Sequence, residues 1–464
     1  MAKRQRQRRQ ERRREHARRE GLSTLQSVIT GLGVTATAVL GISAPAFGAP
    51  ITVTSTADPG DGVCDDTCTL REAVDLANTS DAYDDIFFAS NVTGTISLNS
   101  AAGSIAITNS VDIHGPGPGT LSVDGGDATG LFYTDMNTAG DYVTIEGLRL
   151  ANGYANTGGA ISDINSQMSI YNTILTSNVA LIGGAIYETG NYPLFTTFST
   201  LEGNYAIYGG GIASYGSFGL LGAVTMTDNS AYYGGAINGY GGRIYDSTIS
   251  GNQASEGGSG GAFVYYAYSY NAILANNTGG NPDVGSPHFY AAFDLVENPG
   301  LSPLQTPPSP GPNITGQDPQ LGALANNGGQ TPTLKPAAGS PVVDKGYTGV
   351  DADQRFLLRP IDNPQVANAP GGNGADIGSV ELSLGEGPQP PAPQQPGATK
   401  KKKCKKKKKH HGAAAKKKKC KKKKKKRAVQ IRGIWDSRAQ AGHALSVRST
   451  ARSDWGSQAW VRDR

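Results

Sequence analysis

Side chains able to carry out catalysis are few between residues 81 and 298, which restricts the chemistry of that segment. The basic ones are Arg149, Arg243, His114 and His288. A polysaccharide lyase needs a base beside the uronate carbon, and a glycoside hydrolase needs two carboxylates about 5–9.5 Å apart. Stacked segments can bring an acid such as Glu188 near another, but no Asp-Asp or Asn-x-Asp pair lies between residues 152 and 276. We expect His114 to hold a corner and predict no catalytic residue, metal site or cofactor.

The four cysteines occur as two pairs with different surroundings. Cys64 and Cys68 enclose Asp-Asp-Thr, and we predict a short disulfide loop formed outside the cell. A metal site there needs further ligands, and no histidine lies near. Cys404 and Cys420 lie inside lysine runs, where positive charge favours the thiolate. For this second pair, two interpretations stay open: the cysteines form cross-links, or they occur in the lysine tract without a role.

Tyrosines are concentrated in the later part of the same segment. Tyr208 and Tyr233 hold the same position in a sequence repeat, so their rings are expected to stack on one face. An exposed aromatic strip of these two rings suits sugar rings or a protein partner. Packing between neighbouring repeats explains the same pattern, and both interpretations stay open.

Glycine-rich apolar phrases recur at a nearly constant interval and indicate the elements that position these side chains. The last residues of five phrases are 25, 26, 25 and 26 positions apart. Such a period is typical of stacked coils rather than of a globular core. The phrases are Gly159-Ala-Ile161, Gly184-Ala-Ile186, Gly210-Gly-Ile212, Gly235-Ala-Ile237 and Gly261-Ala-Phe263.

An asparagine series runs in step with these phrases, at intervals of 26, 26, 25, 23 and 24 residues. Amides at one corner of successive coils can pass hydrogen bonds along the stack. We therefore predict a structural asparagine ladder made of Asn152, Asn178, Asn204, Asn229, Asn252 and Asn276.

Short apolar runs bounded by Gly, Pro, Asn or Asp begin near Ile86 and predict strands of three to five residues. Three such strands fit one repeat, which is one coil of a parallel β-helix. Earlier in the chain, Thr69-Leu-Arg-Glu72 has the form of a capping box and opens a short apolar helical stripe. We predict an all-β fold, a right-handed parallel β-helix (solenoid) with a short N-terminal capping helix and disordered termini.

Three sets of motifs resemble families of exported bacterial proteins. The stretch Cys68-Thr-Leu-Arg-Glu-Ala73 is similar to the CSLREA domain, found near the start of exported repeat proteins. Aliphatic-x-x-Asn phrases paired with Gly-Gly-Ala-Ile resemble the polymorphic outer-membrane-protein repeat, with aliphatic residues where that family prefers Phe. A third set resembles the choice-of-anchor Q domain, found at the C-terminal end of bacterial surface proteins: Asp318-Pro-Gln-Leu-Gly, Asn327-Gly-Gly-Gln-Thr-Pro, Gly339-Ser-Pro-Val-Val-Asp344, Asp353-Gln-Arg355, Arg359-Pro360 and Asp376-Ile-Gly-Ser-Val-Glu381.

Charge divides the chain into three parts. Residues 1–20 carry a net charge of +7, residues 21–399 carry −25, and residues 400–464 carry +23. The acidic body repels nucleic acid phosphates, so only the termini can bind polyanions. Within the basic end, nineteen lysines lie in residues 400–426. They form a solvated tail or attach the protein to an anionic cell-wall polymer or membrane surface.

The N-terminus predicts export. A basic region precedes an apolar stretch from Leu22 to Ile42, and small residues follow up to Ala49. A cleaved signal peptide fits this pattern, and a retained membrane anchor is the alternative. With the resemblances, five segments are predicted: 1–49, basic region and signal peptide; 50–85, CSLREA-like cap; 86–297, parallel β-helix repeats; 298–385, choice-of-anchor Q-like region; 386–464, Pro-rich linker and Lys-rich tail.

These features together predict an exported bacterial protein at the cell surface or cell wall, or a secreted one. The expected role is structural, binding or adhesive, with a glycan or surface protein held by the β-helix. The alternative is an extracellular polysaccharide lyase or glycoside hydrolase on the same scaffold. A groove with three clustered acids and either Arg149 or Arg243 would favour the enzyme.

Overall fold

The computed structural model describes residues 48–385, apart from 81–82, 137–140, 217, 256 and 310. The signal peptide and the Pro-rich and Lys-rich segments predicted from sequence lie outside the described residues. The described part is nearly all β, with parallel strands stacked into a solenoid of about eight coils and a single helix. The predicted fold class is confirmed. No helix in the described part of the chain has the length and hydropathy of a membrane span.

Two faces of the solenoid, here called faces A and B, form one sheet of seventeen strands. The two faces are joined because two strands of nine residues each, Ile237–Tyr245 and Ala262–Tyr270, run continuously across both. The strands are β1 (Ile51–Val53), β2 (Asp84–Phe88), β4 (Ile105–Ile107), β5 (Val111–His114), β7 (Phe132–Asp135), β8 (Tyr142–Glu146), β11 (Ile161–Ile164), β12 (Gln167–Tyr171), β15 (Ile186–Thr189), β16 (Phe195–Thr197), β18 (Ile212–Ser214), β19 (Leu220–Gly222), β22 (Ile237–Tyr245), β25 (Ala262–Tyr270), β27 (Val284–Gly285), β28 (His288–Ala292) and β30 (Leu304–Gln305). Face A contains β4, β7, β11, β15, β18, β27 and the first parts of β22 and β25, and face B contains the rest.

Face C is a sheet of ten strands, and a narrow edge completes the middle coils. Face C consists of β3 (Gly94–Ser97), β6 (Leu121–Asp124), β9 (Arg149–Ala151), β13 (Ile174–Thr176), β17 (Thr200–Glu202), β20 (Thr225–Thr227), β23 (Thr248–Ser250), β26 (Ile273–Ala275), β29 (Leu295–Val296) and β31 (Ile314–Thr315). The narrow edge consists of β10 (Tyr154–Thr157), β14 (Val179–Ile182), β21 (Ser230–Ala231) and β24 (Gln253–Ala254).

The core is a set of columns of equivalent side chains. Ile161, Ile186, Ile212 and Ile237 pair in register on successive strands of face A, and all are fully buried. Face C contributes an equivalent column running from Leu150 to Leu274. Each buried aliphatic side chain contributes about 1.5–3 kcal/mol, so stability accumulates coil by coil rather than at one centre.

Each middle coil turns at residues with left-handed backbone conformation. The first glycine of the Gly-Gly phrase has φ between +54° and +68° at Gly158, Gly183, Gly209 and Gly234. The second glycine is required for a different reason: a Cβ at Gly184 would lie 2.2 Å from the carbonyl oxygen of Gly210. These glycines therefore permit both the sharp corner and the close stacking of one coil on the next.

The helix α1 (Leu70–Asn78) packs against β1, β2 and β4 at the N-terminal end of the stack. Its capping box is present, because the Thr69 hydroxyl accepts from the Glu72 N–H while the Glu72 carboxylate accepts from the Thr69 N–H. Leu70, Ala73 and Val74 are buried against the first coil. The helix thus covers apolar surface that an unprotected end coil would expose.

Residues 318–385, here called the C-terminal strap, lie along the outer side of face C. Val342 and Ile377 pack on Ile273 and Leu295 of the later coils. Farther back, Gln354 hydrogen-bonds Thr225 and Thr200, and Gln330 reaches Asn172. The strap is therefore a lateral cover over several coils.

Candidate binding surface

The predicted aromatic strip lies on the narrow edge. Ile182, Tyr208 and Tyr233 occupy one register position on successive coils, and the rings of Tyr208 and Tyr233 stack with centroids 5.5 Å apart and planes 13° apart. Both side chains stay partly exposed, and other large apolar side chains beside them are exposed as well: Tyr154, Leu181, Tyr205, Ile207 and Tyr232. An apolar surface spread over several coils is typical of an interaction site.

A second aromatic row, which the sequence analysis did not single out, lies on face A and its flank. Tyr215, Tyr240 and Tyr265 share one register position on three successive coils, and each ring is about half exposed. Tyr240 and Tyr265 stack with centroids 5.5 Å apart, whereas Tyr215 packs against Tyr187 at 6.0 Å.

The face A row lines an open cleft of about 690 Å³. On the other side the cleft is bounded by Leu301, Ser302 and Pro303 of the segment that follows β29. The fourteen lining residues include no Asp, Glu, Lys, Arg or His: Tyr215, Asn238, Gly239, Tyr240, Phe263, Val264, Tyr265, Asn281, Gly285, Ser286, Pro287, Leu301, Ser302 and Pro303. The volume is in the range of small-ligand clefts, and the lining holds no general acid, general base or metal ligand of the carboxylate or imidazole type.

The cleft and the strip are continuous. Phe263, which lines the cleft, lies 5.8 Å from Tyr233 of the strip between ring centroids. An aromatic surface therefore passes around the corner that the Gly-Gly phrases form. The repeat places large rings on both sides of this corner because the corner glycines themselves carry no side chain.

A histidine lies between two carboxylates on face B, near the start of the solenoid. His114 Nδ1 is 2.7 Å from Glu146, and Nε2 is 2.8 Å from Asp85. Its ring stacks on Phe87 at 4.6 Å. Hydrogen bonding to Glu146, assisted by Asp85, raises the pKa of His114 to about 9, so the imidazolium is stable at neutral pH.

This group is the nearest approach to a catalytic cluster in the described residues, and its geometry is that of a structural ion network. Asp85, Asp112 and His114 offer ligand atoms within 4.8 Å of one another. Both imidazole nitrogens are already hydrogen-bonded, so His114 has no free nitrogen to accept a substrate proton. Arg149 lies on face C, and Arg243 lies farther along the stack. Neither arginine therefore joins Asp85, Asp112 and Glu146 in one groove.

A pair of acids faces the interior instead of a groove. Asp163 and Glu188 pair in register across β11 and β15, and both are fully buried. Burial, with the charge of Asp163 adding to it, raises the pKa of Glu188 to about 7, while a hydrogen bond from Ser214 lowers it. Because no solvent reaches either carboxyl, the pair is a polar layer of the core and not a hydrolytic pair.

The asparagine ladder contains five residues, and each side-chain amide donates to the next: Asn178, Asn204, Asn229, Asn252 and Asn277. Asn277 then donates to Asp283, whose pKa burial raises to about 7. Asn178, Asn204, Asn229 and Asn252 lie where sequence analysis placed them.

The end members assigned from sequence, Asn152 and Asn276, lie outside the ladder. They occupy the preceding position on each coil, which has positive φ: +53° at Asn152, +59° at Asn276 and similar values at Ser177, Gly203, Asp228 and Gly251. Asparagine is favoured there because it tolerates the left-handed conformation. In the first of these coils, Gly153 takes the ladder position and its N–H donates to Asn178.

One buried ion pair joins the strap to the solenoid, and two others lie within the strap. Arg359 lies 3.3 Å from Asp246 of the solenoid and 3.3 Å from Glu381. Arg355 pairs with Asp353 at 2.7 Å and donates to the carbonyl oxygen of Asn327. The pairing of Arg359 with Asp246 could not be predicted from sequence, because contacts between distant segments leave no local pattern.

The remaining predicted pair is the cysteines near the N-terminal end. Cys64 and Cys68 are joined by a disulfide with a sulfur–sulfur distance of 2.03 Å. The closed loop precedes α1, and Cys68 is buried in the core cluster that the helix joins. The bridge therefore fixes the segment that leads into the cap. Cys404, Cys420 and the lysine runs lie outside the described residues.

No family model matches the chain, and neither a curated protein nor a solved structure is similar enough to carry an inference. The resemblances to the CSLREA, polymorphic outer-membrane-protein and choice-of-anchor Q families therefore stay predictions.

Proposed function

We propose that this chain is an exported bacterial surface protein whose solenoid is a rigid binding scaffold and whose Lys-rich tail attaches it to anionic cell-wall polymer. The observation that supports the binding role best is the exposed aromatic surface, formed by the strip of Tyr208 and Tyr233 and the uncharged cleft beside it. Exposed aromatic rings provide large contact area with little conformational entropy to lose, which suits repeated weak contacts to a polymer.

An extracellular polysaccharide lyase or hydrolase is the second candidate, and fewer observations support it. The cleft lining contains no carboxylate, imidazole, ammonium or guanidinium group, and the face B acids hold His114 at both nitrogens. A lyase or hydrolase needs a free base or two accessible carboxylates. Turnover of a polysaccharide panel by the full chain, abolished by Asp85→Asn or Glu146→Gln, would favour the enzyme instead.

The binding role and the tail can be tested together on isolated bacterial cell walls. Removing residues 400–464 should remove the part of wall binding that falls with added salt, because nineteen lysines attract anionic polymer through screened charge. The change Tyr208→Ala with Tyr233→Ala should weaken the part that persists at high salt by about tenfold, since stacked rings contribute through contact area. Tyr142→Ala removes a similarly exposed ring on face B and serves as the matched control.

Two results would contradict this proposal. One is wall binding of the shortened chain that equals that of the full chain at both salt concentrations. The other is equal binding at high salt by the native chain and the Tyr208/Tyr233 variant, with Tyr142→Ala behaving the same way.

A further inference from the structure

The cleft on face A combines aromatic rings with the side-chain amides of two asparagines. The amides of Asn238 and Asn281 lie among the rings of Tyr215, Tyr240 and Tyr265. Asn281 Oδ1 accepts the N–H of Leu301, which leaves its amide nitrogen to donate outward. Gly239 and Gly285 also line the cleft, and each is closely packed: a Cβ would lie 2.0 Å from the carbonyl oxygen of Ser214 at Gly239 and 2.6 Å from the Phe263 ring at Gly285.

The row of rings runs along the solenoid axis. Tyr215, Tyr240 and Tyr265 are equivalent on three consecutive coils, and parallel strands are spaced about 4.8 Å apart. That spacing is similar to the length of one hexose ring in an extended glycan chain. A linear oligosaccharide lying along the axis would therefore meet one tyrosine for each sugar.

Charge restricts the ligand further. A charged group placed in the cleft would lose water without gaining a counter-charge, because none of the fourteen lining residues carries a charged side chain at neutral pH. The acidic body around it, with a net charge of −25 over residues 21–399, repels uronate and phosphate polymers. The ligand that fits is uncharged.

Size and shape favour a slender ligand over a protein surface. A stable protein interface buries about 800 Å² on each partner, usually across a broad and nearly flat area. The cleft is open, and its 690 Å³ lies within the range of about 300–1,000 Å³ typical of small-ligand sites.

We propose that the cleft lined by Tyr215, Tyr240 and Tyr265 binds an uncharged linear oligosaccharide, with the exposed parts of the rings packing on sugar C–H groups and the amides of Asn238 and Asn281 bonding to hydroxyls. This inference rests on the binding role proposed above and names a ligand class for a site beside the strip.

Calorimetric titration of the full chain at high salt, which suppresses the tail, tests the proposal. The probes are neutral hexasaccharides of β-1,4-glucan, β-1,3-glucan and β-1,4-mannan, with hexagalacturonate as the anionic counterpart. We expect at least one neutral probe to bind and hexagalacturonate not to. The change Tyr240→Ala with Tyr265→Ala should weaken binding by about tenfold or more, whereas Tyr240→Phe with Tyr265→Phe should retain most of it.

Tyr142→Ala is the control, because it removes a similarly exposed ring from face B, away from the cleft and the strip, and should leave oligosaccharide binding unchanged. The strip variant Tyr208→Ala with Tyr233→Ala locates the site. Loss of oligosaccharide binding in the strip variant and not in the Tyr240/Tyr265 variant would overturn the cleft while keeping a binding role. Absence of binding by every neutral probe, or equal binding of hexagalacturonate, would also overturn it. If the protein binds a neutral probe but does not bind cell walls, the result contradicts only the proposed surface role.

Discussion

A single ladder residue joins three coils through its side chain. Asn229 is fully buried, donates to Asn252 and to the carbonyl oxygen of Leu201, and accepts from the side chain and backbone of Asn204. Asn229→Ala should lower the free energy of unfolding by about 3 kcal/mol or more, because it leaves several buried polar groups without partners. Denaturant unfolding of the purified chain measures this.

Asn276→Gly is the control for that change. Asn276 is exposed, has φ of +59° and belongs to the corner position instead of the ladder. Glycine adopts this conformation without strain, so stability should stay within about 1 kcal/mol of the native value. Equal destabilisation by both changes would contradict the assignment of the ladder to Asn277 and its equivalents.

At the residue scale, the sequence predicted ladder members correctly where one asparagine recurs in each coil. The prediction was wrong by one position where two adjacent asparagines belong to different columns. Asn276 and Asn277 are adjacent, and counting intervals alone cannot separate a left-handed corner from a ladder position. The His114 cluster was missed for another reason. Asp85, His114 and Glu146 are separated by 29 and 32 residues and meet only once the register of β2, β5 and β8 is known.

At the element scale, the strap depends on one arginine for its charge balance with the solenoid. Arg359 is buried between Asp246 and Glu381, and burial raises the pKa of both carboxyls while its charge lowers them. Arg359→Leu should cost about 3–5 kcal/mol at neutral pH, because two buried carboxylates lose their counter-charge. The cost should be smaller at acidic pH, where those carboxyls are protonated.

Limited proteolysis distinguishes a loosened strap from a damaged solenoid. Cleavage of the Arg359→Leu variant should begin within residues 318–385 while the repeat region stays intact. Arg243→Leu is the control, because that arginine is exposed on the solenoid. Simultaneous cleavage throughout the repeats would contradict the view that the strap is a separate lateral cover.

The strands of the repeats could be predicted because each coil repeats the same local pattern. Apolar alternation and glycine punctuation locate β11, β15, β18 and β22 within a residue or two. The strap's route could not be predicted, since it is set by contacts such as Gln354 to Thr225 and Ser379 to Thr248, which join residues about 130 positions apart. Neither the strap nor the repeat region contains a sequence period that indicates which residues of the other it contacts. The cleft has the same origin, since Leu301 and Pro303 reach Tyr240 only in three dimensions.

At the scale of the whole molecule, several buried groups make stability depend on pH in one direction. Burial raises the pKa of Asp294 to about 8 and that of Asp283 and Glu188 to about 7, and hydrogen bonding to Glu146 raises that of His114 to about 9. Each group binds its proton more tightly in the folded chain than in the unfolded chain. Their contributions to stability are fully present below the pKa values of the unfolded chain, which are near 4 for the carboxyls and 6.5 for histidine. These contributions are lost as the pH rises through the pKa values of the folded chain.

The unfolding temperature should therefore decrease as the pH rises from about 5 to about 9, a range in which many proteins are near their maximum stability. Asp294→Asn should flatten this dependence, because the amide cannot ionise and keeps an oxygen for the N–H of Ala272, 2.8 Å away. Differential scanning calorimetry across this range measures both curves. A native unfolding temperature that rises up to pH 8, or an Asp294→Asn curve as steep as the native one, would show that these carboxyls are not held protonated inside the solenoid.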